Sequence, residues 1–512
     1  MPMWLPKTTA EATGHSLTHR TITGMFWMLT GSGLQAVLKI VVISILARLL
    51  TPADFGVIGA SLVVTSFLEI FGKLGLAPAI VQRPDLNETH IKTGQTASIV
   101  LGCLMGLLLF ALAPAMAALF HMQSLEPVVK VLALAFPLKG LATVPEALMQ
   151  RQMRFREMAA INISSYVLGY ATVSIALAAL GFGVNALVIG ILAQAALTRL
   201  SFFFLIRLPS GFSLDRTALR QLLTFGGGMT LSSLGNFFAL NLDNIIVGRW
   251  LGAEALGIYS RAYQFLMQPT ALIGGTIDRV LFSAMGEAQG DGARIDRAYR
   301  HSLAIVAMVT LPLSAALVIL APEVIELLLG PRWTSVIVPF QILASCLVCR
   351  TGYKPIDAVA RVKGMVYRTA LRQWLYAAEI ATGAFIGHYW GTTGVAAGVT
   401  LAITAQYLIM IHFGRSLTSV SLTELASIHL RHLTVALLVS TAITAAKLGL
   451  LALNAPNYAV LAGGSVAGGL GFILTWLFLR RLFGDEGLWL SDQANALRLR
   501  FFGRKTAYSL RR

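Results

Sequence analysis

Charge is scarce in this sequence. Asp, Glu, Lys and Arg make up 12% of its 512 residues, hydrophobic residues make up 56%, and the mean hydropathy is +0.73. That leaves too little polar surface to wrap a water-soluble globule of this size, which excludes a soluble enzyme. Acidic residues are scarcer than basic ones, 23 against 40, for a net charge of +17. In so apolar a chain a basic excess points to charges that orient helices in a bilayer, not to nucleic acid. Only three cysteines are present, too few for a disulfide framework, and Cys346 and Cys349 form a C-x-x-C inside an apolar stretch that redox partners reach poorly. A cleavable leader is not expected. The first apolar run, from about Gly24 to about Ala47, has no A-x-A-like site after a short core, so it is expected to remain as a first span behind a cytoplasmic leader bearing Lys7 and Arg20.

What the sequence has in abundance is long apolar runs. A spanning helix needs roughly 20 apolar residues, and fourteen stretches qualify: 24–47, 55–76, 94–119, 128–149, 159–180, 184–206, 222–248, 255–281, 301–321, 335–359, 366–388, 392–413, 432–453 and 458–479. The longest internal gaps, 282–300, 414–431, 77–93 and 207–221, read as polar links, and no soluble domain fits between any two spans. Charge placement tests this count, because Lys and Arg concentrate in cytoplasmic loops. With the N-terminus inside, 26 basic residues fall on its side, from Lys7 and Arg20 through Arg151, Arg297 and Arg431 to eight in the tail, and at most five fall opposite. A missed span would scramble that asymmetry. Fourteen helices with both termini cytoplasmic are therefore expected. The tail interleaves Trp489, Phe501 and Phe502 with Arg498, Arg500, Arg504 and Lys505, and reads either as a solvated basic tail or as a segment resting on anionic lipid.

The chain repeats itself. A shift of 201 positions lays Arg48-Leu49-Leu50 and Phe55-Gly56-Val57 onto Arg249-Trp250-Leu251 and Leu256-Gly257-Ile258, just after spans 1 and 7. An offset of six spans preserves chain direction, so the halves read as parallel repeats about an axis along the membrane normal, with substrate expected between them. The domains that follow are a leader at 1–23, an N-lobe at 24–206, a linker at 207–221, a C-lobe at 222–413, two added spans within 414–479 and a basic tail at 480–512.

Four stretches carry a resemblance: Ala47 to Gly56 (ARLLTPADFG), Gly75 to Arg83 (GLAPAIVQR), Asp243 to Gly248 with Leu256 to Tyr263 (DNIIVG, LGIYSRAY), and Leu329 to Trp333 (LGPRW). In this order they resemble the Wzx-like polysaccharide and O-antigen flippases, colanic-acid-exporter type, of the multidrug/oligosaccharidyl-lipid/polysaccharide exporter superfamily. The resemblance runs from about residue 20 to 480. It implies an all-α integral membrane protein of the bacterial inner membrane, with two six-helix lobes around a V-shaped central cavity and two further helices. It also implies that undecaprenyl-diphosphate-linked oligosaccharide is carried from the cytoplasmic to the periplasmic leaflet by alternating access.

Charges at bilayer depth are costly unless they face water or a partner. The spans contain nine cations, Lys39, Lys73, Lys139, Arg199, Arg261, Arg279, Arg350, Lys354 and Arg372, and six carboxylates, Glu69, Glu146, Asp243, Asp278, Asp357 and Glu379. A diphosphate crossing the bilayer needs compensating cations, and Lys39, Lys139 and Arg261 are the candidates. At 1.5 Å per residue, Lys39 and Arg261 lie about 12 and 9 Å below the periplasmic ends of spans 1 and 8. Each of them could instead hold lobes together as half of an ion pair. In related lipid II flippases arginines on spans 1, 2 and 8 line the cavity, whereas span 2 here offers Glu69, which argues against lipid II as substrate. Arg350, Lys354 and Asp357 share a helix face and read as structural pairs. Glu69, Asp243 and Glu379 are candidates for proton or sodium coupling, or counter-ions for those cations. Asn236, Asn241 and Asn244 form a polar stripe suited to sugar hydroxyls or to interhelical hydrogen bonds. Pro269, Pro312 and Pro339, with Gly226, Gly227 and Gly228, mark places to bend. His429 and His432, beside Arg431, read as charged surface.

No catalytic residue, cofactor or metal cluster is expected. A membrane polysaccharide polymerase would need a catalytic constellation in a large periplasmic loop, and those loops are short here. A cation-coupled multidrug exporter of the same superfamily would want an acidic cavity. The expected partners are lipid-linked oligosaccharide, membrane lipids and other polysaccharide-assembly proteins.

Overall fold

Apolar runs bounded by side chains that satisfy exposed backbone groups become helices, and this chain carries such caps repeatedly. The computed structural model describes the backbone of residues 17–484 except 74, 207, 210 and 288–290. It also describes their side chains, except at 17–30, 32, 73, 224–232, 276–287, 366–367 and 370. The leader before residue 17, most of the basic tail, and the side chains of Gly226 to Gly228, Asp278, Arg279 and Lys73 lie outside the described residues.

Helix α1 (Leu17–Leu49) gives way to α2 (Pro52–Lys73) at Thr51. There the Thr51 N–H donates to Asp54 at 2.9 Å and the Asp54 N–H donates to the Thr51 hydroxyl at 3.2 Å, with Pro52 set at the first helical position. Next come α3 (Leu76–Gln82) and α4 (Glu88–Phe120), the latter started by Asn87, whose side chain accepts from the His90 N–H at 3.0 Å. They are followed by α5 (Leu125–Leu132) and α6 (Ala135–Arg151). Helix α7 (Phe155–Ser164) passes through a π-helical turn, Ser165–Ala171, into α8 (Thr172–Ala179), and α9 spans Val184–Leu205.

The long α10 (Arg216–Glu287) is broken at Gly252, whose φ of 85° and ψ of −175° suit only glycine. Helix α11 (Gly292–Ile319) starts at Asp291, and α12 (Ala321–Leu329) leads to a short 3-10 turn, Pro331–Val336. After it come α13 (Ile337–Ser345), α14 (Leu347–Val362), α15 (Val366–Gly387) and α16 (Gly391–Leu417). Helix α17 (Leu422–Ala452), opened by a Ser421–Glu424 capping box, and α18 (Asn457–Phe478) complete the order.

Among the described residues there is no strand, and ten helical segments are long and apolar enough to cross a membrane. The protein is thus an all-α, multi-pass membrane protein. Large side chains remain exposed along these helices, with Leu107 at 67%, Phe204 at 74% and Leu401 at 70%. In a bilayer such side chains meet acyl chains. Two expected links are shorter than the hydropathy suggested. Within 282–300, α11 already begins at Gly292, and within 414–431, α17 begins at Leu422, because the Asp291 and Ser421 caps start each helix in polar sequence before the apolar run. A second correction concerns His432, which is only 2% exposed inside α17 and bonds its ring nitrogen to the Ile428 carbonyl at 2.7 Å, while His429 bonds the Tyr407 hydroxyl at 2.6 Å. His432 is therefore an interior helix-packing group, and His429 is half-buried against Tyr407.

The chain divides into two compact units, one of 1–261, 328–333 and 373–395, the other of 262–327, 334–372 and 396–512. In the first, Leu76, Ile80, Val144, Leu148, Phe202 and Leu222 form a core. Helices α4 and α6 cross through small residues: a Cβ on Gly102 would stand 2.7 Å from the Phe136 carbonyl oxygen, and the Ser98 hydroxyl donates to the Gly140 carbonyl at 2.9 Å. With no hydrophobic drive between helices in lipid, this close approach holds them together. In the second, Tyr299, Leu303, Ile356, Val359, Phe413 and Leu425 pack together. Lys447 of α17 bonds Glu323 at 2.9 Å and the Ile319 carbonyl at 2.8 Å.

Candidate functional site

Within the first unit the two copies of the repeated segment touch. A Cβ on Gly56 would overlap the carbonyl oxygen of Ala253, and a Cβ on Gly257 would overlap that of Pro52. Both glycines and both carbonyl residues are 201 positions apart. Residue i of one copy thus meets residue j of the other while j meets i, the reciprocity a two-fold relation produces.

Motif residues named from the sequence gather around this contact. The Trp333 indole N–H donates to the Ala47 carbonyl at 2.9 Å, and its ring meets Phe55 edge-on with centroids 5.4 Å apart. On Phe55 rests the Arg261 guanidinium, 4.8 Å from the ring centroid. This cation–π contact is the position Arg261 holds in place of an ion pair. Its Nε is buried without a hydrogen-bond partner, and no carboxylate pairs with it among the described residues.

Asp243, the carboxylate expected from sequence to neutralise a buried cation, is 1% exposed and otherwise engaged. It accepts from the Tyr259 hydroxyl at 2.8 Å and from the Asn244 backbone N–H at 2.8 Å and side chain at 3.1 Å. Asn241 bonds the Phe237 carbonyl of its own helix at 2.9 Å, and Asn236 is exposed. Lys139 on α6 pairs with Glu69 on α2, joining two residues that sequence reasoning placed in separate groups. Their side chains remain 44% and 24% exposed, so the pair faces open space. Lys39 is half-buried on α1 and has no ion pair or hydrogen bond among the described residues. Glu379 on α15 has one carboxylate oxygen buried with no partner.

In the second unit, Arg350 is 4% exposed and donates to the Tyr263 hydroxyl at 3.0 Å, while Asp357 meets Arg361 at 3.7 Å. A cavity of about 670 Å³ there collects Arg297, Arg300, Lys363 and Glu424, whose carboxylate is committed to the Ser421 cap at 2.9 Å and to Arg300 at 3.3 Å. Among the described residues no three His, Cys, Asp or Glu side chains are grouped to hold a metal.

The stacked rings of Tyr166 and Tyr170, 5.4 Å apart on the π-helical turn, were not singled out from the sequence. Their i, i+4 spacing is visible, but aromatic pairs at that spacing are common in cores, and nothing in the sequence marks the π-helical turn that carries them.

Comparison with known proteins places this geometry in context. A family model described as "Polysaccharide biosynthesis protein" matches residues 45–338, which include all four resembling stretches. The chain is 26% identical to the lipopolysaccharide biosynthesis protein WzxC of Escherichia coli strain K12 over 406 residues, covering 77% of this chain and 82% of that protein. It is 27% identical to the teichuronic acid biosynthesis protein TuaB of Bacillus subtilis over 68% and 72% of the two chains. To the succinoglycan biosynthesis transport protein ExoT of Rhizobium meliloti it is 30% identical over 58% and 60%. In fold it is similar to a lipid II flippase, MurJ, in an inward closed conformation, with a TM-score of 0.71 at 13% identity over 90% of this chain and 99% of that one. It is also similar to an inward-facing MATE-family multidrug transporter, with a TM-score of 0.62 at 18% identity over 77% and 95%.

Proposed function

The chain belongs to the polysaccharide biosynthesis protein family, and from that premise we propose that it flips undecaprenyl-diphosphate-linked oligosaccharide from the cytoplasmic to the periplasmic leaflet for polysaccharide export. It works as a transporter by alternating access in the bacterial inner membrane, with both termini cytoplasmic. Its fourteen spans form an N-lobe (24–206), a C-lobe (222–413) and two added helices within 414–479, and it works beside other polysaccharide-assembly proteins.

One observation carries this reading. The Arg261 guanidinium rests on the Phe55 ring with its Nε buried and, among the described residues, without a hydrogen-bond partner or a paired carboxylate. An uncompensated cation in such a place costs several kcal/mol unless an anion arrives to meet it, and a diphosphate matches its two-pronged geometry. Lys39 adds a second cation without a partner among the described residues, and Lys139 offers a third that Glu69 holds until substrate competes for it. The excess of cations also sets this site apart from a drug exporter of the same fold, which would need an acidic cavity for cationic drugs. Among the carboxylates, Glu379 is the candidate for ion coupling, since Asp243 and Glu69 are already engaged.

Deletion of the gene in its host is the test. Lipid-linked oligosaccharide should accumulate on the cytoplasmic face and surface polysaccharide should disappear, with resistance to cationic drugs unchanged. Drug hypersensitivity with normal polysaccharide would overturn the assignment.

A further inference from the structure

Two helices of the second unit start in polar sequence, and their caps turn loop charges into helix-borne ones. Asp291 accepts from the Arg294 N–H at 3.0 Å and so starts α11 at Gly292, while Ser421 accepts from the Glu424 N–H at 3.2 Å and starts α17. Arg297 and Arg300 then stand at i and i+3 on one face of α11. Both line the cavity of about 670 Å³, which Lys363 reaches from the end of α14 and residues 416–420 line from the end of α16 and the link beyond it.

The wall of this cavity is basic, and its carboxylates are held by the protein. Asp296 accepts from the Ser419 N–H at 3.2 Å and from the Ser419 hydroxyl. Glu424 accepts from the Ser421 N–H at 2.9 Å and from Arg300 at 3.3 Å. The Lys363 ammonium donates to the Leu417 carbonyl, a neutral acceptor that leaves its charge in place. Three cations around one concavity repel each other, and an anion between them relieves that repulsion. Arg297, Lys363 and Ser419 are exposed, so the cavity can be entered. Further along α17, Leu430, Leu433 and Leu437 recur at i, i+3 and i+7 and are exposed, as on a face that meets acyl chains.

We propose that this cavity binds the phosphate head group of an anionic phospholipid in the cytoplasmic leaflet. The inference rests on the proposed topology, which puts the links 282–300 and 414–431 inside, and it is independent of the substrate reading at Arg261. A basic pocket between spans on that side is suited to lipid head groups, and the volume accommodates a phosphate with its glycerol. The guanidinium forks of Arg297 and Arg300 match phosphate oxygens, with the Lys363 ammonium as a third donor. A zwitterionic head group fits less well, because its own cation meets three others. Head-group site and exposed leucines follow one another along α17 in the order of a phospholipid, polar end first.

The experiment is native mass spectrometry of the full-length protein in detergent with three probes: phosphatidylglycerol, phosphatidylcholine with the same acyl chains, and soluble glycerol 3-phosphate. The first phosphatidylglycerol should bind about tenfold more tightly than the first phosphatidylcholine. Arg297→Gln and Lys363→Gln should each weaken phosphatidylglycerol binding about fivefold and leave phosphatidylcholine unchanged. Arg216→Gln, an exposed cation of the first unit, should change neither. Lys363 also ties α14 to Leu417, so if Lys363→Gln fails to accumulate, Arg297→Gln decides alone. Unchanged phosphatidylglycerol affinity in Arg297→Gln overturns the site. An equal loss in Arg216→Gln also overturns it, because the attraction would then be that of any surface cation. Glycerol 3-phosphate binding as tightly as phosphatidylglycerol, with the same dependence on Arg297, would make this a site for a free phosphate and overturn the lipid assignment.

Discussion

Gly56 faces the carbonyl oxygen of Ala253 so closely that no Cβ fits between them, and the same relation recurs 201 positions on, where Gly257 faces the carbonyl of Pro52. The repeat read from the sequence is thus a physical contact in which each copy supplies both a glycine and a carbonyl. Phe55, next to one of these glycines, carries Arg261 on its ring. The repeat contact and the candidate anion site therefore share one wall.

The first prediction follows from that closeness. Gly56→Ala or Gly257→Ala must push backbone apart, at a cost of about 1–3 kcal/mol for an overpacked contact. Either variant should lower the melting temperature of the detergent-solubilised protein. The double variant should cost less than the two singles combined, since one displacement relieves both clashes. Additive losses would mean that the two contacts open independently.

The Lys139–Glu69 pair predicts a different pattern. Lys139→Met removes the cation that pairs with Glu69 and should reduce the amount of inserted protein, and adding Glu69→Gln should restore it. Export should remain below wild type in the restored double variant, because the cation that meets the substrate is still missing. Wild-type export in that variant would reduce Lys139 to a structural role.

Glu379 has a buried oxygen with no hydrogen-bond partner among the described residues, so it can take up a proton or bind a small cation there without breaking an existing bond. Flipping by purified protein in vesicles should respond to an imposed pH or sodium gradient, and Glu379→Gln should abolish that response while leaving substrate binding intact. A gradient response that survives the substitution would remove Glu379 from coupling.

Orientation is testable by labelling. Single cysteines at Asn185, Thr392 and Asn457, in a protein lacking Cys103, Cys346 and Cys349, should react with an impermeant thiol reagent added to the periplasm. Those at Asp215 and Gln289 should not. Equal labelling at Asp215 and Asn457 would refute the proposed topology.

Much of this was legible in the sequence because bilayer thickness and helix rise leave few options for an apolar run. The break between the runs at 222–248 and 255–281 is where Gly252 interrupts α10, and the TPAD stretch is legible as a helix start because Thr51, Pro52 and Asp54 are cap-forming types. Helix ends in the links 282–300 and 414–431 differ from the sequence reading, since hydropathy does not register a cap such as Ser421 that starts a helix in polar sequence. The site was legible only in part. Composition identified Arg261 as an expensive cation, but whether Asp243 neutralises it depends on tertiary geometry, and Tyr259 and Asn244 hold that carboxylate instead. The pairing of Lys139 with Glu69 needs two helices to meet, and the π-helical turn under Tyr170 has no local sequence signal. His432 was misread because a histidine near arginine in sequence can still point inward on a helix.

The central claim is that Arg261 meets the substrate and not a protein carboxylate. The direct measurement is surface polysaccharide export, normalised to inserted protein, for Arg261→Gln alone and combined with Asp243→Asn. Loss of a two-pronged, charge-assisted contact should reduce export by about a hundredfold, with Arg261→Lys intermediate because it keeps the charge without the fork. Adding Asp243→Asn should not restore it, since Asp243 already has Tyr259 and Asn244 as partners. Full recovery of export in the double variant would show that Arg261 serves Asp243 and would contradict the account.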